Sequence, residues 1–108
     1  MFGKGGMGSL MKQAKEMQSK MAKAQEEVKL LEGQGSAAGD LVTICINGER
    51  EFTSISIKDE VLNQDKDMIE DLILVAANQA VADINKKIED TMSAATGGML
   101  GGSGFPGL

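Results

Sequence analysis

Apolar residues between Leu10 and Leu31 recur at alternating four- and three-residue steps: Leu10, Ala14, Met17, Met21, Ala24, Val28 and Leu31. This is a heptad seam along one face of a helix. Ser9 is a suitable N-cap, and Gly33 a suitable stop, for a helix running to about Glu32. A helix of that length spans about 36 Å. A seam this long needs something to pack against. A second copy of the chain is the natural partner in so short a protein, and the buried face of an ordinary globular helix fits the same spacing. Met17 and Met21 are soft packing residues and Ala14 and Ala24 are small, so the seam is not a strong zipper.

Downstream the period changes from helical to two. Val42, Ile44 and Ile46 fall on one face of a strand over Leu41 to Asn47, with Thr43 and Cys45 on the other. Asn47-Gly48 is a strong turn signal. A second strand from Glu51 to Ile57 puts Thr53, Ile55 and Ile57 on one face. Phe52 is out of phase, which predicts a bulge or an exposed aromatic. Gln34 to Ala37 is a candidate short edge strand. Asp59 to Leu62 suits a short turn of helix.

A second long helix is expected to start between Asn63 and Asp67 and run to about Ala95. Asp67 and Glu70 have capping-box spacing. Its apolar band is broad: Ile69, Leu72, Ile73, Ala76, Ala77, Ala80, Val81, Ile84 and Ile88. The alanines permit close backbone approach. The order helix, antiparallel strands, helix predicts a two-layer α+β domain.

The 108 residues suffice for one domain. Glycine-rich ends divide the chain into a flexible arm over 1–8, a folded domain over 9–96 and a disordered tail over 97–108. Met99, Leu100, Phe105 and Leu108 give that tail an apolar content. So small a domain buries limited surface, which favours association. No apolar run approaches the ~20 residues that span a bilayer. With no signal segment and a single cysteine, Cys45, the chain reads as intracellular.

Histidine is absent, which removes the commonest general base and zinc nitrogen ligand. Cys45 reads as a semi-buried inert thiol. The acidic residues Asp59, Glu60, Asp65, Asp67, Glu70 and Asp71 lack the glycine and the alternation of a calcium loop, so capping and solubility explain them. The glycines before Ser9 form no phosphate loop. The expectation is a protein without catalysis, metal or cofactor.

Net charge is −5, and its distribution matters more than its sum. Residues 1–25 hold five lysines against one glutamate, a net of +4, while residues 26–108 hold six basic and fifteen acidic residues, a net of −9. Lys12, Lys15, Lys23 and Lys29 occupy outer heptad positions opposite the seam, and Lys20 flanks it. Two readings apply: a solvated helix face, or contact with the phosphates of a polyanion. Glu16 stands at four-residue spacing from both Lys12 and Lys20 and could neutralise part of the patch. Distant carboxylates are largely screened beyond about 8 Å at physiological salt, so the net negative charge does not forbid a local anion contact.

Several segments together carry a family resemblance. Met1-Phe2-Gly3-Lys4-Gly5-Gly6 leads into Leu10-Met11-Lys12-Gln13-Ala14. Leu41-Val42 leads to Ile46-Asn47-Gly48, and Ser56-Ile57 precedes an acidic turn. Met68-Ile69-Glu70-Asp71-Leu72 is followed by Ala76-Ala77-Asn78-Gln79-Ala80. In this order and spacing the chain resembles the YbaB/EbfC family of bacterial nucleoid-associated proteins over nearly its whole length. The resemblance implies a homodimer with a helix–three-stranded antiparallel sheet–helix protomer, in the cytoplasm on the nucleoid, and adds support for the strand near Gln34. It also implies binding to double-stranded DNA, with effects on nucleoid organisation and gene expression, and no catalysis, membrane or small-molecule substrate.

On that reading Lys12, Lys15 and Lys23 contact phosphates, Lys4 reaches from the arm, and Lys86 and Lys87 are further candidates. Leu10, Met17, Met21, Ala24, Val28 and Leu31 line the dimer interface or the helix–sheet core. Two departures stand out. Asp40 occupies a position that is usually glycine. Asp83, Glu89 and Asp90 make the second helix more acidic than in many members. A dimeric protein-interaction scaffold in DNA repair or replication is the alternative, drawn from Phe52 and the apolar tail.

Overall fold

The structure, a computed structural model, describes residues 4–96, with side chains from Gly8 onward. The expected tail over 97–108 lies outside them, as does the side chain of Lys4. The elements are α1 (Lys4–Lys29), β1 (Glu32–Ala37), β2 (Val42–Asn47), β3 (Phe52–Ile57), a 3-10 turn (Asp59–Asn63) and α2 (Lys66–Ala95). The three strands form one antiparallel sheet in the order β1-β2-β3. This is the expected α+β order: helix, three-stranded antiparallel sheet, helix. Residues 28–89 make one compact unit, and residues 4–27 with 90–96 are the described part of another.

The first helix differs from expectation at both ends. It starts at Lys4, so Ser9 lies inside it. Once a helix is nucleated each further residue adds a hydrogen bond, and glycine costs only about 1 kcal/mol per position. It ends at Lys29, well before Gly33, and Leu31 N–H donates to Val28 O at 3.0 Å to close the last turn. Leu31 therefore leaves the helical seam and packs on the core of the sheet unit.

Gly33 and Gly35 instead belong to β1, and packing explains them. A Cβ at Gly33 would run into Ile84, and one at Gly35 into Ala76 O and Ala80 N. These glycines let the strand lie against the α2 backbone. The core is Ala37, Val42, Ile44 and Ile46 of the sheet, Val61 of the 3-10 turn, and Ala76, Ala80 and Ile84 of α2. Ile69, Leu72, Ile73, Ala77, Val81 and Ile88 flank it. All nine residues of the expected apolar band on α2 thus face this core.

Asp65 caps α2: its Oδ1 accepts Met68 N–H at 3.2 Å, and its carbonyl accepts Ile69 N–H at 3.1 Å. The expected capping box of Asp67 and Glu70 does not form: the helix starts at Lys66, so the cap is Asp65 alone, with Met68 at the position a box needs as Glu or Gln. The β2–β3 turn falls at Asn47-Gly48 as expected, with a different internal geometry. Asn47 Oδ1 accepts the N–H groups of Glu49 (2.9 Å) and Glu51 (3.0 Å), and Arg50 takes the left-handed conformation at φ 63°. Gly48 is required sterically, since a Cβ there would meet Val28 O. The β1–β2 turn passes through left-handed Ala38 (φ 52°) and Gly39 (φ 74°), and Asp40 needs no positive φ.

Phe52 resolves as both alternatives at once. The β2–β3 register shifts between Cys45 and Ile46: Ser54 opposes Cys45, and Phe52 opposes Ile46. Thr53 is the extra residue of a bulge. The bulge brings Phe52 onto the same face as Ile55 and Ile57, so the expected place of Thr53 on that face goes to Phe52.

Candidate nucleic-acid interface

The basic residues separate into two populations. Lys12, Lys15, Lys20 and Lys23 of α1 are all exposed, and none forms a hydrogen bond or ion pair with another described residue. Glu16, which could have paired with Lys12 or Lys20, pairs with neither. The helix carries Lys12 and Lys23 about 16 Å apart along its axis. Their charge is available to an external anion without breaking a contact.

Most basic residues of the sheet unit have partners within it; Lys58 is the exception, exposed and without a side-chain partner among the described residues. Lys87 Nζ donates to Glu32 O at 2.7 Å and lies 3.3 Å from Asp83 Oδ2. Lys86 also has a partner. Arg50 Nε donates to Asn85 Oδ1 at 3.1 Å, and Lys66 lies 4.0 Å from Glu70. Lys86 and Lys87 were grouped with the α1 lysines by sign of charge alone. The bond of Lys87 to Glu32 O spans 55 residues and is invisible to local spacing, whereas its pairing with Asp83 is at four-residue helical spacing.

Asp83 explains much of this. It accepts Gln34 N–H at 2.9 Å, which holds its carboxyl below the ordinary aspartate range; burial opposes that shift, and Lys87 adds to it. An acidic residue that reads as a departure toward negative charge therefore has a structural task on β1.

Lys20 and Lys23 share a cleft of about 290 Å³ with Glu27 of α1 and Thr91, Ala94 and Ala95 of α2. Lys20 looks peripheral on the heptad wheel, yet it stands with Lys23 in this cleft. Their three-residue spacing was the available signal.

The interface expected along α1 divides by position. Leu10 is 65% exposed and Ala14 is exposed, Met17, Met21 and Val28 are half-buried, and Ala24 is 3% exposed. A second apolar surface lies on the sheet unit. A groove of about 470 Å³ is lined by Ile44, Phe52, Thr53, Ser54, Ile55, Ile73 and Ala77. Phe52 (56%), Ile55 (51%) and, on α2, Leu74 (60%) are large apolar residues left open. The helix presses on β1 and β2, and the core-side face of β3 is covered at Ile57 but left open at Phe52 and Ile55.

Among the described residues no group of three acidic or cysteine side chains is placed to hold a metal ion, and no helix is long and apolar enough to cross a membrane.

Fold and charge placement define a small α+β module whose first helix carries four lysines, Lys12, Lys15, Lys20 and Lys23, without a partner among the described residues. The chain belongs to the YbaB/EbfC DNA-binding family, whose model matches residues 3–99. Its fold is similar to that of the uncharacterized protein HP0035 from Helicobacter pylori. The TM-score is 0.64 at 20% identity, and the match covers 84% of this chain and 94% of that one.

Proposed function

We propose that this protein binds double-stranded DNA as a homodimer, mainly through phosphate contacts, and acts as a cytoplasmic nucleoid-associated protein that shapes nucleoid organisation and gene expression. The observation that carries this reading is the set of unpaired, exposed lysines on α1. Lys12, Lys15 and Lys23 contact phosphates, Lys20 joins them, and Lys4 adds reach. Lys86 and Lys87 contribute little, because binding DNA would compete with the partners they already have. The sole arginine, Arg50, is bonded to Asn85, and bidentate guanine reading favours arginine, so sequence preference is weak. No chemistry is involved.

The homodimer reading draws on the uncovered apolar surface. The open face carries both a groove and large exposed side chains on its rim, Phe52 and Ile55. A patch that holds knob and hole together is self-complementary under a two-fold axis. The main contact is therefore assigned to β3 and the flank of α2. Leu10, Met17, Met21 and Val28 remain available for a second contact. Ala24 is buried inside the protomer, and Leu31 is half-buried on the core of the sheet unit.

Binding to a ~30 bp duplex, followed by fluorescence anisotropy across a salt series, tests the reading. A slope of log affinity on log salt between about −5 and −7 fits three or four lysines from each of two copies, at about 0.9 per phosphate. No binding at low salt would leave the alternative, a dimeric scaffold in DNA repair or replication whose exposed apolar face receives another protein.

A further inference from the structure

The two edges of the sheet are treated differently. At β1, three α2 side chains at four-residue spacing reach the strand's outer backbone groups. Gln79 Oε1 accepts Ser36 N–H at 3.1 Å, Asp83 Oδ2 accepts Gln34 N–H at 2.9 Å, and Lys87 Nζ donates to Glu32 O at 2.7 Å. Four helical residues rise about 6 Å. Two strand residues rise about 6.7 Å. The helix and the strand edge therefore stay in step over three rungs, running in opposite directions. The 3.3 Å contact between Lys87 and Asp83 ties two rungs together.

At β3 no such ladder exists. From Thr53 to Ser56 no outward backbone group bonds to another described element, and every side chain there is exposed. A bare edge is a template for another strand. A sheet with two bare, different edges can add β1 of one copy to β3 of the next without limit, because such a head-to-tail contact does not close.

We propose that the Gln79–Asp83–Lys87 ladder is an edge cap that confines strand addition to β3, so that association between copies of this chain cannot propagate as a filament. With β1 occupied, the contact left to two copies is β3 against β3, which closes on itself. The identity of that closed pair rests on the homodimer reading. The cap does not.

The test is the full-length triple variant Q79A/D83A/K87A. Alanine keeps the helix propensity of α2 and removes only the rungs. Mass is measured by light scattering over a concentration series, with helix content checked by circular dichroism. The expected result is a set of species heavier than the wild type that grow with concentration. Adding Gln34→Pro, which removes an outward N–H at an edge position that tolerates proline, should return the mass to the wild-type value. A folded triple variant of wild-type mass would overturn the proposal, as would heavy species that survive Gln34→Pro. The unmodified protein supplies a second measurement, independent of whether the variant folds. Amides of Gln34 and Ser36 should exchange as slowly as those of β2, and exchange at the rate of open loop amides would overturn the cap. The wild-type mass itself separates the two ideas: a monomeric wild type removes the homodimer while growth of the triple variant still supports the cap.

Discussion

Gly35 crosses α2 so closely that any side chain on it would land on the carbonyl oxygen of Ala76. The obstruction is backbone, which cannot swing aside as a flexible side chain can. Gly35→Ala should therefore cost at least the upper end of the ordinary overpacking range, about 3 kcal/mol. Urea unfolding of the variant checks this. A midpoint near the wild type would mean that strand and helix separate more easily than their contact implies.

The free lysines of α1 and the bonded Lys87 should behave as opposites. Lys12→Gln, Lys15→Gln and Lys23→Gln together should reduce the magnitude of the DNA salt slope by about 0.9 for each lysine lost in each copy, and leave stability nearly unchanged. Lys87→Gln should do the reverse, lowering the unfolding midpoint while keeping the slope. Anisotropy titrations beside denaturation curves separate the two effects. A slope that falls with Lys87→Gln would place that residue on DNA after all.

Phe52 and Ile55 are brought to one face by the bulge at Thr53. Phe52→Asp should therefore halve the particle mass at micromolar concentration, since a buried unpaired charge opposes docking at that face. Its helix content should not change, because Phe52 is 56% exposed in the protomer. Sedimentation equilibrium measures the mass. A variant of unchanged mass would move the interface to the Leu10 end of α1.

Asp83 gives a signed pH effect. Its folded pKa lies below its unfolded one, so between the two values the unfolded chain holds more protons and stability rises with pH. The stabilisation is complete above the unfolded aspartate range and is lost as pH falls through the folded value. Asp83→Asn should be less stable than wild type at neutral pH, and the gap should close in acid. Stability curves from neutral to strongly acidic pH show whether it does. A gap that stays constant would mean that the carboxylate charge is not what holds Gln34.

The parts of this fold that could be read beforehand are those where side chains carry the information locally. The α2 band from Ile69 to Ile88 and the alternation of Val42, Ile44 and Ile46 are periodic patterns, and each element forms where its pattern lies. Phe52 announced the bulge by being out of phase. β1 was faint because Glu-Gly-Gln-Gly-Ser-Ala has no β-branched residue; tertiary contact makes it a strand, and its glycines looked like a helix stop. The same holds for the candidate site. The α1 lysines were visible as an exposed set, whereas the commitment of Lys87 and Asp83 depends on residues about fifty positions away. The open groove was not legible in full because the bulge is what brings Phe52 into it.

The unpaired lysines of α1 lie at positions the fold does not consult. No hydrogen bond, ion pair or buried contact of the core depends on Lys12, Lys15, Lys20 or Lys23. On the proposed function, affinity for DNA can therefore be raised, lowered or redistributed along α1 by single substitutions that leave folding untouched. Binding strength and foldability then become independent quantities, set by different residues of the same chain.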